Sequence, residues 1–173
     1  MNLDDLWPQE RDFMERPDRI KYVRKLIKPK GCVFCAASEK RPSKSSLLLY
    51  KDDLVMAMLN KYPYNNGHLL LLPRKHIGNL LDLDSETYEA LSRLVRESLN
   101  IVNEAYGKID CNIGINHGRV AGAGIPDHLH WHLIPRWLGD TNFFPLIGQT
   151  KVVAEPLNQT YDRLRPFFKE ITL

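Results

Sequence analysis

The sequence predicts an α+β fold: an antiparallel sheet of about five short strands, one long helix and a C-terminal helix. Three observations carry this. Short apolar runs recur at hairpin spacing between turn residues, residues 85–106 keep their apolar side chains on one helical stripe, and residues 128–132 alternate with period two. Strands joined mostly by hairpins, with helices outside them, fit an antiparallel sheet better than alternating βαβ units.

Residues 1–16 are mixed and polar, with aromatics at Trp7 and Phe13, and read as an arm laid over the body. Over 18–28, Ile20, Val23 and Ile27 have helical spacing, with Asp18 as N-cap and Pro29-Lys30-Gly31 as the stop. After a polar loop at 41–46, strands follow at 47–50 and 54–59, joined by a turn at Asp52-Asp53. A third strand, 68–72, is introduced by Asn65-Asn66-Gly67 and stopped by Pro73. Asp84 or Ser85 caps the long helix, whose stripe of Tyr88, Leu91, Leu94, Val95, Val102 and Ala105 ends at Gly107. A fourth strand spans 112–115, a glycine loop holds Gly118, Gly122 and Gly124, and the histidine segment is the fifth strand. The last helix runs over about 158–168, interrupted or ended near Pro166. The chain thus divides into an arm and helix (1–31), a core (32–148) and a C-terminal extension packed on the same domain (149–173).

At 173 residues, 43% hydrophobic and 26% charged, the composition is that of an ordinary soluble globule. A net charge of +3 suits an anionic small molecule better than a nucleic-acid track, and the basic run Lys21, Arg24, Lys25, Lys28 and Lys30 reads as a solvated face. No apolar run reaches transmembrane length and residues 1–7 hold no apolar signal core, so the expectation is a cytoplasmic protein that engages neither membrane nor nucleic acid. Three cysteines, an odd number, argue against a disulfide framework and leave Cys32 and Cys35 as a Cys-x-x-Cys pair; Cys111 reads as core.

Half of the six histidines fall in His128-Leu-His130-Trp-His132. On a strand the three imidazoles share one face, while Leu129, Trp131 and Leu133 point into the core. Each ring needs partners for two nitrogens, so such a row is costly as packing and reads as a site. A histidine nucleophile suits phosphoryl or nucleotidyl transfer, and glycine-loop amides are placed to cradle phosphate oxygens. Arg119 and Arg136 are either anion contacts or surface charges. A metalloenzyme is the rival reading, since His-x-His also binds metals; it needs a further ligand facing the row, and Asp127 alternates onto the opposite face.

The row fits the pattern His-φ-His-φ-His-φ-φ, φ being apolar, and resembles the histidine-triad (HIT) family. Upstream, Met58-Leu59-Asn60-Lys61-x-Pro63, Gly67-His68-Leu-Leu-Leu-Leu-Pro73 and His76 resemble the family's nucleotide-binding strands, so the likeness covers roughly 32–148. It implies the HIT fold and a nucleotidyl intermediate on His130, with His132 helping the leaving group depart and His128 orienting its neighbours. It further implies that Asn60 holds ribose, that Met58, Leu70 and Phe34 line the base pocket, and that Asn116 or His117 contacts phosphate beside Gly122 and Gly124. Where many family hydrolases carry Gln or Ser before the triad, this chain has Gly124-Ile125, which leaves the acceptor open.

The glycine loop and Pro135-Arg136-Trp137-x-Gly139-Asp140, continuing to Pro145, look most like the diadenosine tetraphosphate (Ap4A) hydrolase and phosphorylase branch. The resemblance implies adenine nucleotides or dinucleoside polyphosphates as substrate, a divalent metal accompanying the polyphosphate, and a homodimer. It also implies that Cys32, Cys35, His76 and His128 form a structural Zn²⁺ site, the covalent step requiring no cofactor. Against zinc stands the plain reading of two small buried cysteines and a loop-capping His76. A slowly turning-over regulatory nucleotide binder and a nucleoside phosphoramidate hydrolase are the alternative functions.

Overall fold

The computed structural model describes residues 31–140 and 155–171. The expected arm, the 18–28 helix, the basic face and the stretch through Pro145 lie outside these residues.

Residues 32–38, too short a stretch to show a helical period, form a short helix α1 (Val33–Ser38) with Cys32 as N-cap. Four strands follow as expected, with bounds shifted by a residue or two: β1 (Leu48–Lys51), β2 (Val55–Leu59), β3 (Leu69–Pro73) and, after the long helix α2 (Ser85–Tyr106), β4 (Asp110–Ile115). A 3-10 turn (Leu80–Asp82) precedes α2, and strand β5 (Trp131–Arg136) and the C-terminal helix α3 (Leu157–Glu170) complete the described elements. The strands form one antiparallel sheet in the order β1-β2-β3-β5-β4.

Asp52 makes the first turn by accepting from the amides of Leu54 and Val55, both at 2.8 Å. Strands β2 and β3 are buried throughout, which explains why their sequences read as continuous apolar runs. Alternation sends Val55, Ala57, Leu59, Leu69 and Leu71 to one face, where they pack with α2, α3 and Leu133. Met56, Met58, Leu70 and Leu72 go to the other, where Phe34 and Ala37 of α1 cover them. That second face carries the site.

Helix α2 starts as its sequence dictates, with Asp84 accepting from the Thr87 amide at 2.9 Å, and ends at Gly107 with φ +80°. Tyr88 departs from the expected stripe: it is 48% exposed, because Thr87, Ala90 and Leu91 are the residues of that turn facing the sheet. Helix α3 also departs, continuing past Pro166 to Glu170. Leu164 and Phe168, buried on either side of Pro166, anchor both halves in the main core, and this offsets the lost helical hydrogen bond.

The histidine segment needs the largest correction. Only His132 lies within β5; His128 and His130 belong to the lead-in, so strict strand alternation does not set the whole row. The β3–β5 ladder stops at Leu71 opposite Trp131, two residues short of Pro73, which has no N–H to continue it. Leu129 instead donates its amide to the Ile77 carbonyl at 2.7 Å.

Candidate active site and metal cluster

The lead-in and β5 nevertheless bring all three imidazoles together. His128 and His130 are buried, and the rings of His130 and His132 stand 5.1 Å apart. Backbone groups decide where each proton sits. The Nε2 of His128 lies 2.9 Å from the Pro73 carbonyl, which only accepts, so His128 carries its proton on Nε2 and turns a lone pair on Nδ1 outward. The Nδ1–H of His130 donates to the His128 carbonyl at 2.8 Å, which leaves Nε2 of His130 unprotonated.

The third ring is set through His68, a histidine to which the sequence motif assigns no role. The Tyr64 amide donates to Nδ1 of His68 at 3.0 Å. His68 therefore holds its proton on Nε2 and donates to Nδ1 of His132 at 2.9 Å. His132 is thereby left with a proton on Nε2. An unprotonated nitrogen on His130 beside a protonated one on His132 pairs a nucleophile with a hydrogen-bond donor. Burial lowers the pKa of both, His132 to about 4 with His130 beside it as the second cause. Both are neutral at physiological pH. His68 shares strand parity with Leu70 and Leu72, and that alternation was the clue available in the sequence.

Around the row, Met58 and Leu70 are buried directly opposite each other on β2 and β3. Phe34 packs beside them with its ring 5.1 Å from that of His130 and 5.4 Å from that of His128. Asn60 directly follows β2, accepting from the Tyr62 amide at 2.9 Å and approaching Nδ1 of His68 at 3.3 Å. The β4–β5 ladder ends with Ile115 opposite Trp131, and the register carried one residue further sets Asn116 opposite His130. His117 turns away: its Nε2 accepts from the Leu80 amide at 3.3 Å and lies the same distance from Asn79 Oδ1. Gly122 (φ +91°) and Gly124 lie in the exposed loop before the row. Arg136 and Asp140 pair with each other, Arg136 Nε to Asp140 Oδ2 at 2.6 Å, and Arg119 lies 3.7 Å from Asp127.

On the far side of His128 a second cluster forms. Donor atoms of Cys32, Cys35, His76 and His128 all lie within 4.8 Å of one another. His128 Nδ1 is 3.3 Å from both Cys32 Sγ and His76 Nδ1, and Cys35 Sγ is 3.3 Å from His76 Nδ1. Two thiols and two imidazoles are the donor set of a tetrahedral Zn²⁺ site, and the Pro73 carbonyl fixes His128 in the tautomer that ligates through Nδ1. Burial, then the neighbouring Cys32, push the Cys35 thiol up, so a bound dication has a proton to displace. Cys111 lies apart, half-buried against the main core. Among the described residues no helix is long and apolar enough to cross a membrane.

Known proteins share sequence and fold with this chain. The chain is 36% identical over 114 residues to an AP-4-A phosphorylase of Mycobacterium tuberculosis, covering 66% of this chain and 58% of that protein. It is 33% identical over 95 residues to an asymmetrical bis(5'-nucleosyl)-tetraphosphatase of Schizosaccharomyces pombe, covering 55% of this chain and 52% of that protein. The chain thus spans little more than half the length of either relative. A Zn-bound histidine triad family protein of Mycobacterium smegmatis has the same fold, with TM-score 0.64 and 26% identity, covering 81% of this chain and 94% of that one. The HIT domain model matches residues 41–137, over half of the sequence, from the loop before β1 to the end of β5, and so this chain belongs to the HIT family.

Proposed function

We propose that this chain is a nucleotide-binding enzyme that cleaves a phosphoanhydride of an adenine dinucleoside polyphosphate through a nucleotidyl-His130 intermediate. The observation that carries the reading is the hydrogen bond from His130 Nδ1 to the His128 carbonyl, which leaves Nε2 as the attacking lone pair. In the first step Nε2 bonds to the α-phosphorus and the bond to the bridging oxygen breaks. The departing polyphosphate takes the electron pair and accepts a hydrogen bond from Nε2–H of His132. The positive charge gained by His130 is shared through Nδ1–H with the His128 carbonyl. In the second step an acceptor oxygen attacks phosphorus, the P–N bond breaks and the lone pair returns to Nε2; with water as acceptor, its proton passes to solvent.

Met58, Leu70 and Phe34 form the apolar pocket for the base, and Asn60 contacts ribose. Asn116, rather than the engaged His117, contacts phosphate with the amides around Gly122 and Gly124. Cys32, Cys35, His76 and His128 hold a structural Zn²⁺, supported by their donor set and by the Zn-bound relative. When bound, the ion ties α1 to the segment before β5 and takes no part in the covalent steps. A homodimer belongs to the same reading, with β4 as a sheet edge that exposes Ile113.

Purified protein incubated with Ap4A, with and without inorganic phosphate, tests the activity by product chromatography. The phosphorylase relative favours phosphate as acceptor: ADP and ATP form only when phosphate is present. Cleavage in water alone to AMP and ATP assigns hydrolysis, whereas two ADP would require attack at a β-phosphorus and would overturn the nucleotidyl-His130 intermediate. AMP binding without cleavage rejects Ap4A as substrate and favours a slow regulatory binder.

A further inference from the structure

Cys32-Val33-Phe34-Cys35 places one side chain of the nucleotide pocket between two metal-ligating thiols. Resting on the nucleotide-binding reading above, we propose that the two sites are linked. Metal held by Cys32, Cys35, His76 and His128 raises nucleotide affinity by pinning Phe34 against His130.

Helix α1 is six residues long, too short to hold itself together, and its N-cap Cys32 makes no side-chain capping bond. Its C-terminal end is fastened to the sheet, since Lys51 Nζ donates to the Ser38 carbonyl. Its N-terminal half, which carries Phe34, has the thiols as its polar attachments: Cys32 lies 3.3 Å from His128, and Cys35 lies 3.3 Å from His76. Phe34 is 4% exposed and touches the second sheet face, whose cover is α1 with Cys32, Leu47 and Ile125 at the margin. The same ring stands 5.1 Å from His130 and 5.4 Å from His128. A cation drawing the four donors together fixes the N-terminus of α1, and with it one wall of the base pocket. His128 joins the sites a second time, because its ring is a donor in the cluster while its carbonyl holds His130. Linkage then requires reciprocity: nucleotide must hold the metal more tightly by the same factor by which metal favours nucleotide.

The test uses the full chain and AMP as probe. Calorimetry should show AMP binding the zinc-loaded chain more tightly than the chelator-stripped chain, by about 5- to 150-fold, the usual span of coupling between sites. In the loaded chain, AMP should slow zinc release to a chromogenic chelator; this arm requires no folded metal-free protein. Phe34→Ala keeps all four donors, so it should still take up zinc, bind AMP weakly and release zinc at a rate AMP does not alter. Equal AMP affinity in folded loaded and stripped chains, or zinc release indifferent to AMP, overturns the linkage. Release from Phe34→Ala that still responds to AMP overturns Phe34 as the carrier. A chain that takes up no zinc overturns the proposal and leaves the nucleotide reading standing. A loaded chain that binds no AMP overturns both.

Discussion

At the scale of residues, every proton in the histidine row is placed by a backbone group: Pro73 O for His128, His128 O for His130, and Tyr64 N through His68 for His132. Two predictions belong here. His130→Asn should lose turnover by several orders of magnitude while AMP binding, read by calorimetry, persists; an active variant would remove the covalent mechanism. His68→Leu frees His132 to hold its proton on either nitrogen. Ap4A cleavage should fall by about 10²- to 10⁴-fold, the usual worth of a positioned proton donor. An adenylate ester with an activated leaving group should suffer far less, and equal loss on both substrates would deny His132 its part in leaving-group departure. The three histidines were legible from spacing alone. Their tautomers were not, because those depend on a carbonyl 55 residues away at Pro73 and on a ring 64 residues away at His68.

At the scale of elements, the segment before β5 is held by close backbone contact instead of a continuing ladder. A Cβ on Gly78 would stand 2.7 Å from Pro126 O and 2.8 Å from Asp127 Cα, atoms that cannot step aside as a flexible side chain would. Gly78→Ala should therefore destabilise the fold by about 1–3 kcal/mol, the range for overpacking. The thermal midpoint should drop by several degrees, and kcat should fall in chains that remain folded. An unchanged midpoint and kcat would show that the two loops separate without cost. The sequence made β2, β3 and α2 readable because each has strong periodicity or burial and marked ends. It could not show α1, where six residues are too few for a period. Nor could it show that core contacts carry α3 through Pro166.

At the scale of the whole molecule, burying neutral histidines makes stability depend on pH. Burial depresses the pKa of His130 and His132 below the ordinary 6.5, His132 to about 4. As pH falls below 6.5 the unfolded chain takes up protons that the folded chain refuses, so stability is lost progressively toward pH 4. Asp140, held below the usual carboxylate range by Arg136, adds its loss only at more acid pH. Thermal midpoints measured from pH 7 to 4.5 should fall steadily, and His132→Asn should flatten the slope. A midpoint constant over that range would mean that these rings are not held neutral by burial.

The sequence by itself determined the α+β class, the antiparallel hairpins, the long capped helix and the nucleophile candidate, because these rest on local periodicity, turn chemistry and spacing. Its resemblance to the HIT family, beyond local pattern, also named all four donors of the metal cluster and the apolar pair Met58 and Leu70. Tertiary structure alone decided that β5 begins at Trp131, that His68 completes the row, and that Phe34 is carried between two thiols onto His130. The physical reason is common to all three. A missing N–H on Pro73, a donor from Tyr64 and a short helix closed over one sheet face act between segments that only folding brings together.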